Sequence, residues 1–435
     1  MVTPEQDPAG PRPTRVRIGV AFLIFAAVVV NYMDRSNLAL VAPAMSQELG
    51  LSAVKMGLIF SAFGWAYAAA QLPGGWIVDR IAPRLLYPIM MGAWSLVTCA
   101  HVLARGFAGL FAVRLGVGAF EAPSYPTNNR IVTTWFPESE RARATSFYIS
   151  GQFVGVAFLT WASAHVEARL GWRGVFVLTG AVGLLFSGAW YLLYRDPPES
   201  TRVNRRELDQ IRAGGGLPDR ARPGSSPKVT GAQLRAILTT RNLWGVIIGH
   251  TAINATLWFF LTWFPTYLVK YRHMGLVQMG NWSTVPFAAA FVGALLSGYF
   301  SDRIVRRGGD VATARKIPII CGLLLSASIV GANYVESPRL AMLFMTLAFF
   351  GNGLASIGWT FVSALAPEGL LGLTGGIYNF MGYLAAIAVP IIIGFIVQNG
   401  RFEPALVFIS AWALLGVLSF LFLVRDVERI KVPPG

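Results

Sequence analysis

Charge is scarce in this sequence. Only 13% of its 435 residues are Asp, Glu, Lys or Arg, against about 25% in a soluble globular domain. With 54% hydrophobic residues and a mean hydropathy of +0.55, too little polar surface exists to wet a soluble fold, and that class is excluded. Cysteine is rarer still. Cys99 and Cys321 are the two in the chain, each inside an apolar stretch, so neither a disulfide framework nor a thiolate metal site is implied. The four histidines show no zinc spacing. No phosphate-cradling glycine loop and no nucleophile–base triad occur, so an enzyme, a metal cofactor and ATP drive have no residues to carry them. Acids are the rarer sign, 21 against 36 Lys and Arg, for a net charge of +15. Such an excess suits nucleic acid, but the basic residues sit mainly in alternate loops without interleaved aromatics, which argues against that partner.

Long apolar runs fill the chain instead. Each run of about 20 residues crosses about 30 Å of hydrocarbon as a helix, and in lipid only a helix or closed barrel satisfies the backbone. Twelve spans are expected, near 16–40, 53–78, 84–104, 107–135, 141–165 and 172–194, then 241–269, 276–301, 315–334, 338–365, 369–398 and 402–424. The fold class is therefore an all-α polytopic membrane protein with twelve transmembrane helices in two six-helix bundles, 16–194 and 241–424. The tail 1–15 is polar and Pro-rich and lacks the apolar core of a signal peptide. The linker 195–240 is polar and rich in Gly and Pro, with room for one short surface helix, and 425–435 forms a second tail.

Lys and Arg set the orientation. The even loops, tails and linker hold 25 of them, the odd loops 8, and three lie within spans. Without the ten from Arg195 to Arg241, 15 still stand against 8. Both termini are expected in the cytoplasm. The halves also repeat. GGWIVDRIAPR (74–84) follows the second span and SGYFSDRIVRR (297–307) the eighth, matching Gly75, Asp79 and Arg80 to Gly298, Asp302 and Arg303. Phe136-Pro137-Glu138 pairs likewise with Ala366-Pro367-Glu368, and Tyr148 with Tyr378. A duplicated bundle of this kind places a ligand near the midplane, between halves that rock.

Ionised groups at membrane depth cost roughly 3 kcal/mol or more, so they are rare and usually paired or functional. The first span carries Asp34 and Arg35 in NYMDRSNLAL. Neighbours on a helix point about 100° apart, so one of the two faces a central cavity and the other a neighbouring helix. The fourth span, RLGVGAFEAPSYPTNNR, sets Arg114 and Glu121 on one face, two turns apart. Gly116 and Gly118 permit close helix approach, and Pro123 and Pro126 allow a kink. Burial favours the neutral acid and a nearby guanidinium favours the carboxylate, so a Glu poised between them can load and release a proton. Asp79, Arg80, Arg84, Asp302 and Arg303 open matching loops and read as a conformational latch. In the seventh span His250 and Asn254 share a face, and in the eleventh, TGGIYNFMGY, Asn379 stands among glycines. These are candidates for a cavity lining, although most Ser, Thr and lone His residues in spans bond only to their own helices.

The GGWIVDRIAPR loop resembles the signature of the major facilitator superfamily. NYMDRSNL, FSAFGWAYAAAQLPGGWIVDR, RLGVGAFEAPSYPTNNR, WFFLTWFPTYL and GLTGGIYNF look like its anion:cation symporter family, which includes bacterial galactonate, glucarate and hexuronate transporters and, in animals, sialin and the vesicular glutamate transporters. The resemblance covers residues 16–424. It implies the major facilitator fold and proton-coupled import of a small organic anion, most simply a sugar acid (aldonate, aldarate or hexuronate), across a bacterial inner membrane. It implies no cofactor beyond the coupling protons. Arg35 looks like the substrate-facing arginine, Asp34 and Glu121 the proton-coupling acids, Arg114 the link between acid and substrate, Tyr67 a tyrosine on the substrate carboxylate, and Asn379 a contact from the second half. Two positions depart from the galactonate-type pattern: His250 stands where Gln is expected, and Gly358 where a hydroxyl residue is. They leave anion binding open and put galactonate itself in question. A drug–proton antiporter of the same fold needs acids without arginine partners, against which both Asp34-Arg35 and Arg114…Glu121 count. A ligand sensor needs an output domain that the linker is too short to hold. Nothing compels a dimer, and a monomer in the bilayer is expected.

Overall fold

A peptide group in hydrocarbon has no water to bond, so each apolar run closes its own hydrogen bonds. The computed structural model describes residues 12–218, 230–307, 310–367, 370–425 and 428–433, and within these it leaves the side chains of Leu72, Ala142, Asp302, Val305, Arg306, Val311 and Leu371 undescribed. The described residues are helical, with no strand among them. The first bundle holds α1 (Val16–Glu48), α2 (Ala53–Arg80), α3 (Pro83–Ala100), α4 (Phe107–Glu121) with α5 (Ser124–Trp135), and α6 (Glu138–Leu193). The run α6 is two spans that meet at Gly171, whose φ of 68° and ψ of 178° turn the chain back. Only glycine takes such angles without strain. The fourth span is broken at Ala122–Pro123, directly after Glu121.

The linker holds α7 (Arg205–Ala213) and α8 (Gly231–Leu238), two surface helices where the sequence suggested one. A capping box between Thr230 and Gln233 starts α8. The second bundle holds α9 (Arg241–Thr262) running on through α10 (Phe264–Thr266), then α11 (Leu276–Arg306), α12 (Val311–Ala327), α13 (Pro338–Leu354) with α14 (Trp359–Leu365), α15 (Leu371–Ile396) and α16 (Glu403–Leu418). Six spans per bundle result, as the hydropathy required.

The described parts of the chain tails and linker lie at one end of the bundles, the tail side. Each half of the linker is tied to its own bundle. The buried carboxylate of Glu207 on α7 accepts from Thr14 Oγ1 at 2.6 Å and from the backbone N–H groups of Val16 and Arg17. Arg17 then pairs with Glu207 at 3.2 Å and Glu140 at 2.9 Å. On the other half, Gln233 donates to Pro433 O and Ile237 packs in the apolar cluster of the second bundle.

The bundles meet from the midplane to the far side. Trp263 meets Phe60 of α2 edge to face, ring centroids 5.5 Å apart, and Lys270 donates to Ser46 Oγ at 3.1 Å. The seam is close enough to need glycine: a β-carbon at Gly57 would lie 2.4 Å from Pro390 O, and one at Gly280 2.2 Å from Ala164 Cβ. With no hydrophobic drive between helices in lipid, such small-residue contacts supply the dispersion that holds them. The structure is thus sealed on the far side. Gly57→Trp cannot be accommodated there and is expected to open the seam. In a Cys99→Ser, Cys321→Ser background, a cysteine substituted for Ser46 should then react several-fold faster with a membrane-impermeant maleimide. Unchanged reactivity would show that the seam does not rest on this contact.

Candidate functional site

The long helix α1 carries Asp34 and Arg35 side by side, and the 100° between them sends them to different neighbours. Asp34 turns to α3, where Trp94 Nε1 donates to its Oδ2 at 3.0 Å. Arg35 turns to the seam between bundles, where its Nε forms an ion pair with Glu121 of α4. Both partners are buried, at 2% and 0% exposure. The Nη1 of Arg35 donates across the seam to the Tyr383 hydroxyl of α15 at 3.2 Å, and its Nη2 is buried without a hydrogen-bond partner among the described residues. Tyr32, Phe63, Tyr67 and Tyr125 surround the guanidinium, their ring centroids 4.7 to 5.8 Å from its carbon. Desolvated cation–π contacts contribute about 2 kcal/mol or more. The cage thus offers one arginine, one carboxylate and one unspent donor.

Arg114 shares the face of Glu121 on α4, as the spacing predicted, yet its guanidinium goes elsewhere. It donates to the backbone carbonyls of Asp34 at 3.2 Å and Arg35 at 3.5 Å, bracing α1 at the level of the cage. The ion pair within α4 that the spacing allowed is replaced by one between α1 and α4. Helix approach explains the exchange: a β-carbon at Gly118 would lie 2.4 Å from Phe63 O, so α4 packs tightly on α2 and brings Glu121 to Arg35.

Tyr67 lies in the cage, stacked on Tyr383 with centroids 4.8 Å apart at 12°. Asn379 is half-buried and one turn before Tyr383 on α15, so it faces the same side. His250 is held apart from the cage. Its ring stacks on Tyr378 at 3.9 Å and lies at hydrogen-bond distance from Asn254 Nδ2. Gly382 gives it room, since a β-carbon there would lie 2.1 Å from the ring. The same Tyr378 explains Gly358: a β-carbon at 358 would come within 2.7 Å of the Tyr378 hydroxyl. His250 and Gly358 are therefore one packing unit, with Tyr378 between them.

The loop residues are spread out. Arg84 pairs with Glu199 at 3.0 Å. Arg80 lies over Trp76 at 3.6 Å, and Arg303 donates to Tyr299 Oη at 2.9 Å. Asp79 is exposed and makes no ion pair among the described residues, and the Asp302 side chain lies outside them. The repeat-matched Glu368 also lies outside the described residues. Arg130 of α5, unremarked in the sequence, reaches this loop and donates to the carbonyls of Val78 and Ile81. Trp94 and Tyr383 were likewise missed. For Tyr383 a signal existed in its i, i+4 relation to Asn379, whereas nothing in YPIMMGAWSLVTC distinguishes Trp94 from a lipid-facing aromatic.

The profile of the Major Facilitator Superfamily matches residues 24–388. The chain is 48% identical over 425 residues to the D-galactonate transporter of Escherichia coli O6:H1, covering 96% of this chain and 98% of that one. It is 39% identical to a probable galactarate/D-glucarate transporter of Bacillus subtilis, over 97% and 95% of the two chains, and 31% identical to the hexuronate transporter of Bacillus subtilis, over 96% and 97%. Among solved structures, a bacterial homologue of the human lysosomal transporter Spinster, in an inward-facing and occupied conformation, superposes with a TM-score of 0.72 over 95% of this chain and 96% of that one, at 19% identity. That likeness speaks for the fold alone. Twelve spans in two bundles, an internal repeat and near-complete coverage by named transporters agree: the chain belongs to the Major Facilitator Superfamily, a family of membrane transporters and not of enzymes.

Proposed function

We propose that this protein imports a sugar acid together with protons across a bacterial inner membrane, as a monomer with both termini in the cytoplasm. The observation that carries the reading is the Arg35 cage: a buried guanidinium held by Glu121, touching the opposite bundle through Tyr383, with Nη2 unspent. A carboxylate ligand can take Glu121's place on that guanidinium, because Arg–carboxylate pairs are short, strong and often bidentate. The names of the relatives, which are galactonate, galactarate/glucarate and hexuronate transporters, support the anion class. The excess of Lys and Arg on the tail side supports the orientation.

In the cycle, Asp34 and Glu121 take up protons from the outside while the far side is open. Neutral Glu121 releases Arg35, which then binds the substrate carboxylate, with Tyr67 beside it and Asn379 meeting the hydroxyl tail from the second bundle. Arg114 holds α1 in register, so that the acid and the arginine respond together. After closure and opening toward the tail side, Glu121 loses its proton, recovers Arg35 and expels the anion. The present conformation, sealed on the far side with the Arg35–Glu121 pair formed, fits the state after release. No cofactor takes part; protons are the coupling ion. Asp79, Arg80, Arg84, Asp302 and Arg303 act as the latch that closes the tail side in the opposite state. His250 and Gly358, through Tyr378, shape the end of the cavity that reads the hydroxyl tail.

Proteoliposomes with an imposed inward proton gradient test this. D-galactonate, D-glucarate and D-glucuronate are offered in turn, and one of them should accumulate. Expulsion of a lipophilic cation with no anion uptake would replace the reading by drug–proton antiport. The double variant Asp34→Asn, Glu121→Gln should lose gradient-driven accumulation, while substrate exchange at equal pH persists; accumulation that survives in this variant contradicts proton coupling through these acids. Tyr383→Phe removes the acceptor for Arg35 but keeps the ring stack on Tyr67. One hydrogen bond to a charged group contributes about 1.5–3 kcal/mol, so transport should fall at least about tenfold while the protein still folds.

A further inference from the structure

On the tail side, away from the cage, a groove of about 400 Å3 opens where α1, the end of α6 and the first turn of the linker meet. Gly19 and Leu23 of α1 and Leu192 and Leu193 of α6 give it an apolar wall. The two leucines are 69% and 53% exposed, as side chains facing hydrocarbon are. Within one turn the lining becomes cationic, with Arg195 and Arg202. This order of surfaces follows that of a leaflet, from acyl chain to headgroup.

Both arginines keep donors to spend. Arg195 uses Nη1 on the carbonyls of Tyr191 and Tyr194, at 2.8 and 2.7 Å, and Arg202 is exposed and makes no ion pair among the described residues. Of the acids nearby, Glu199 is paired with Arg84 at 3.0 Å, and Asp196, which accepts from the Tyr194 hydroxyl at 3.1 Å, is one carboxylate against the two arginines. The groove therefore carries net positive charge at its mouth. Its floor is open as well, because a β-carbon at Gly19 would meet nothing within 4 Å.

We infer that this groove binds one anionic phospholipid, its acyl chain laid over Gly19 and Leu23 and its phosphate against Arg195 and Arg202. An inorganic anion would use the arginines and leave the apolar wall wet; a zwitterionic lipid would use the wall and leave the charge unanswered. Basic pockets at this depth suit anionic headgroups, and each arginine near an anionic surface contributes about 1 kcal/mol, a factor of about five. The occupant ties α1 and α6 to the linker turn that leads into α7, next to the Glu207 clamp.

The test is native mass spectrometry of the full chain, purified in detergent and offered dioleoyl phosphatidylglycerol or dioleoyl phosphatidylcholine. The wild type should retain one phosphatidylglycerol in strong preference. Gly19→Leu, whose β-carbon meets open space, extends into the groove and should lose that lipid. Arg195→Gln with Arg202→Gln, both at the surface, should weaken retention by about 25-fold and erase the headgroup preference. Equal retention of the two lipids by the wild type, or full retention by both variants, overturns the proposal. So does displacement of the bound phosphatidylglycerol by millimolar inorganic phosphate, which would make this a site for a free anion.

Discussion

A guanidinium buried in the middle of a membrane protein must face a negative charge, and the organisation of this transporter follows from that constraint. Arg35 is 2% exposed, and a buried charge stripped of its partner costs about 3–5 kcal/mol. Four aromatic rings soften the cost without removing it. The carboxylate of Glu121 meets that demand in this structure, and in the proposed cycle the carboxylate of a substrate would compete for the same position. In that cycle, protonating Glu121 would remove one competitor and so link proton uptake to anion binding.

The exchange acts on the whole molecule because Arg35 also reaches the second bundle. Its contact with Tyr383, and the stack of Tyr383 on Tyr67, sit where the glycine-lined seam of the far side begins. Beyond them toward the tail side, the described tethers join each bundle to its own half of the linker. The cage thus lies where the sealed far side begins. Arg114, by bonding two carbonyls of α1 and sharing α4 with Glu121, ties the two helices into one unit at the level of the cage. Asp34 is the second acid of this unit, buried against Trp94 on the side away from the seam.

Much of this was legible in the residues. Apolar runs of spanning length gave the helices, and duplicated DR loops gave the two bundles. Asp34, Arg35, Arg114 and Glu121 stood out because ionised groups in hydrocarbon are rare. The pairing among them was not legible. Sequence spacing places Arg114 and Glu121 on one face, but the rotation and approach of α4 against α2, set by Gly118, decide which cation the carboxylate meets. Tyr383 and Trp94 were hidden for the opposite reason, since aromatics are common in spans and only the partner across the seam or the bundle marks them. The second linker helix had a local signal, Thr230 with Gln233 three residues on, but its eight residues carry too little apolar periodicity to stand out. The departures His250 and Gly358, separate puzzles in the sequence, become one through the Tyr378 ring that touches both.

The account stands on the claim that substrate and Glu121 exchange on Arg35. Infrared difference spectroscopy of the purified protein, recorded as D-galactonate or D-glucarate is perfused at constant pH, reads this directly. The account predicts a protonated-carboxyl band that appears with ligand and is absent from Glu121→Gln. Ligand binding with no such band, or with a band that persists in Glu121→Gln, would contradict it.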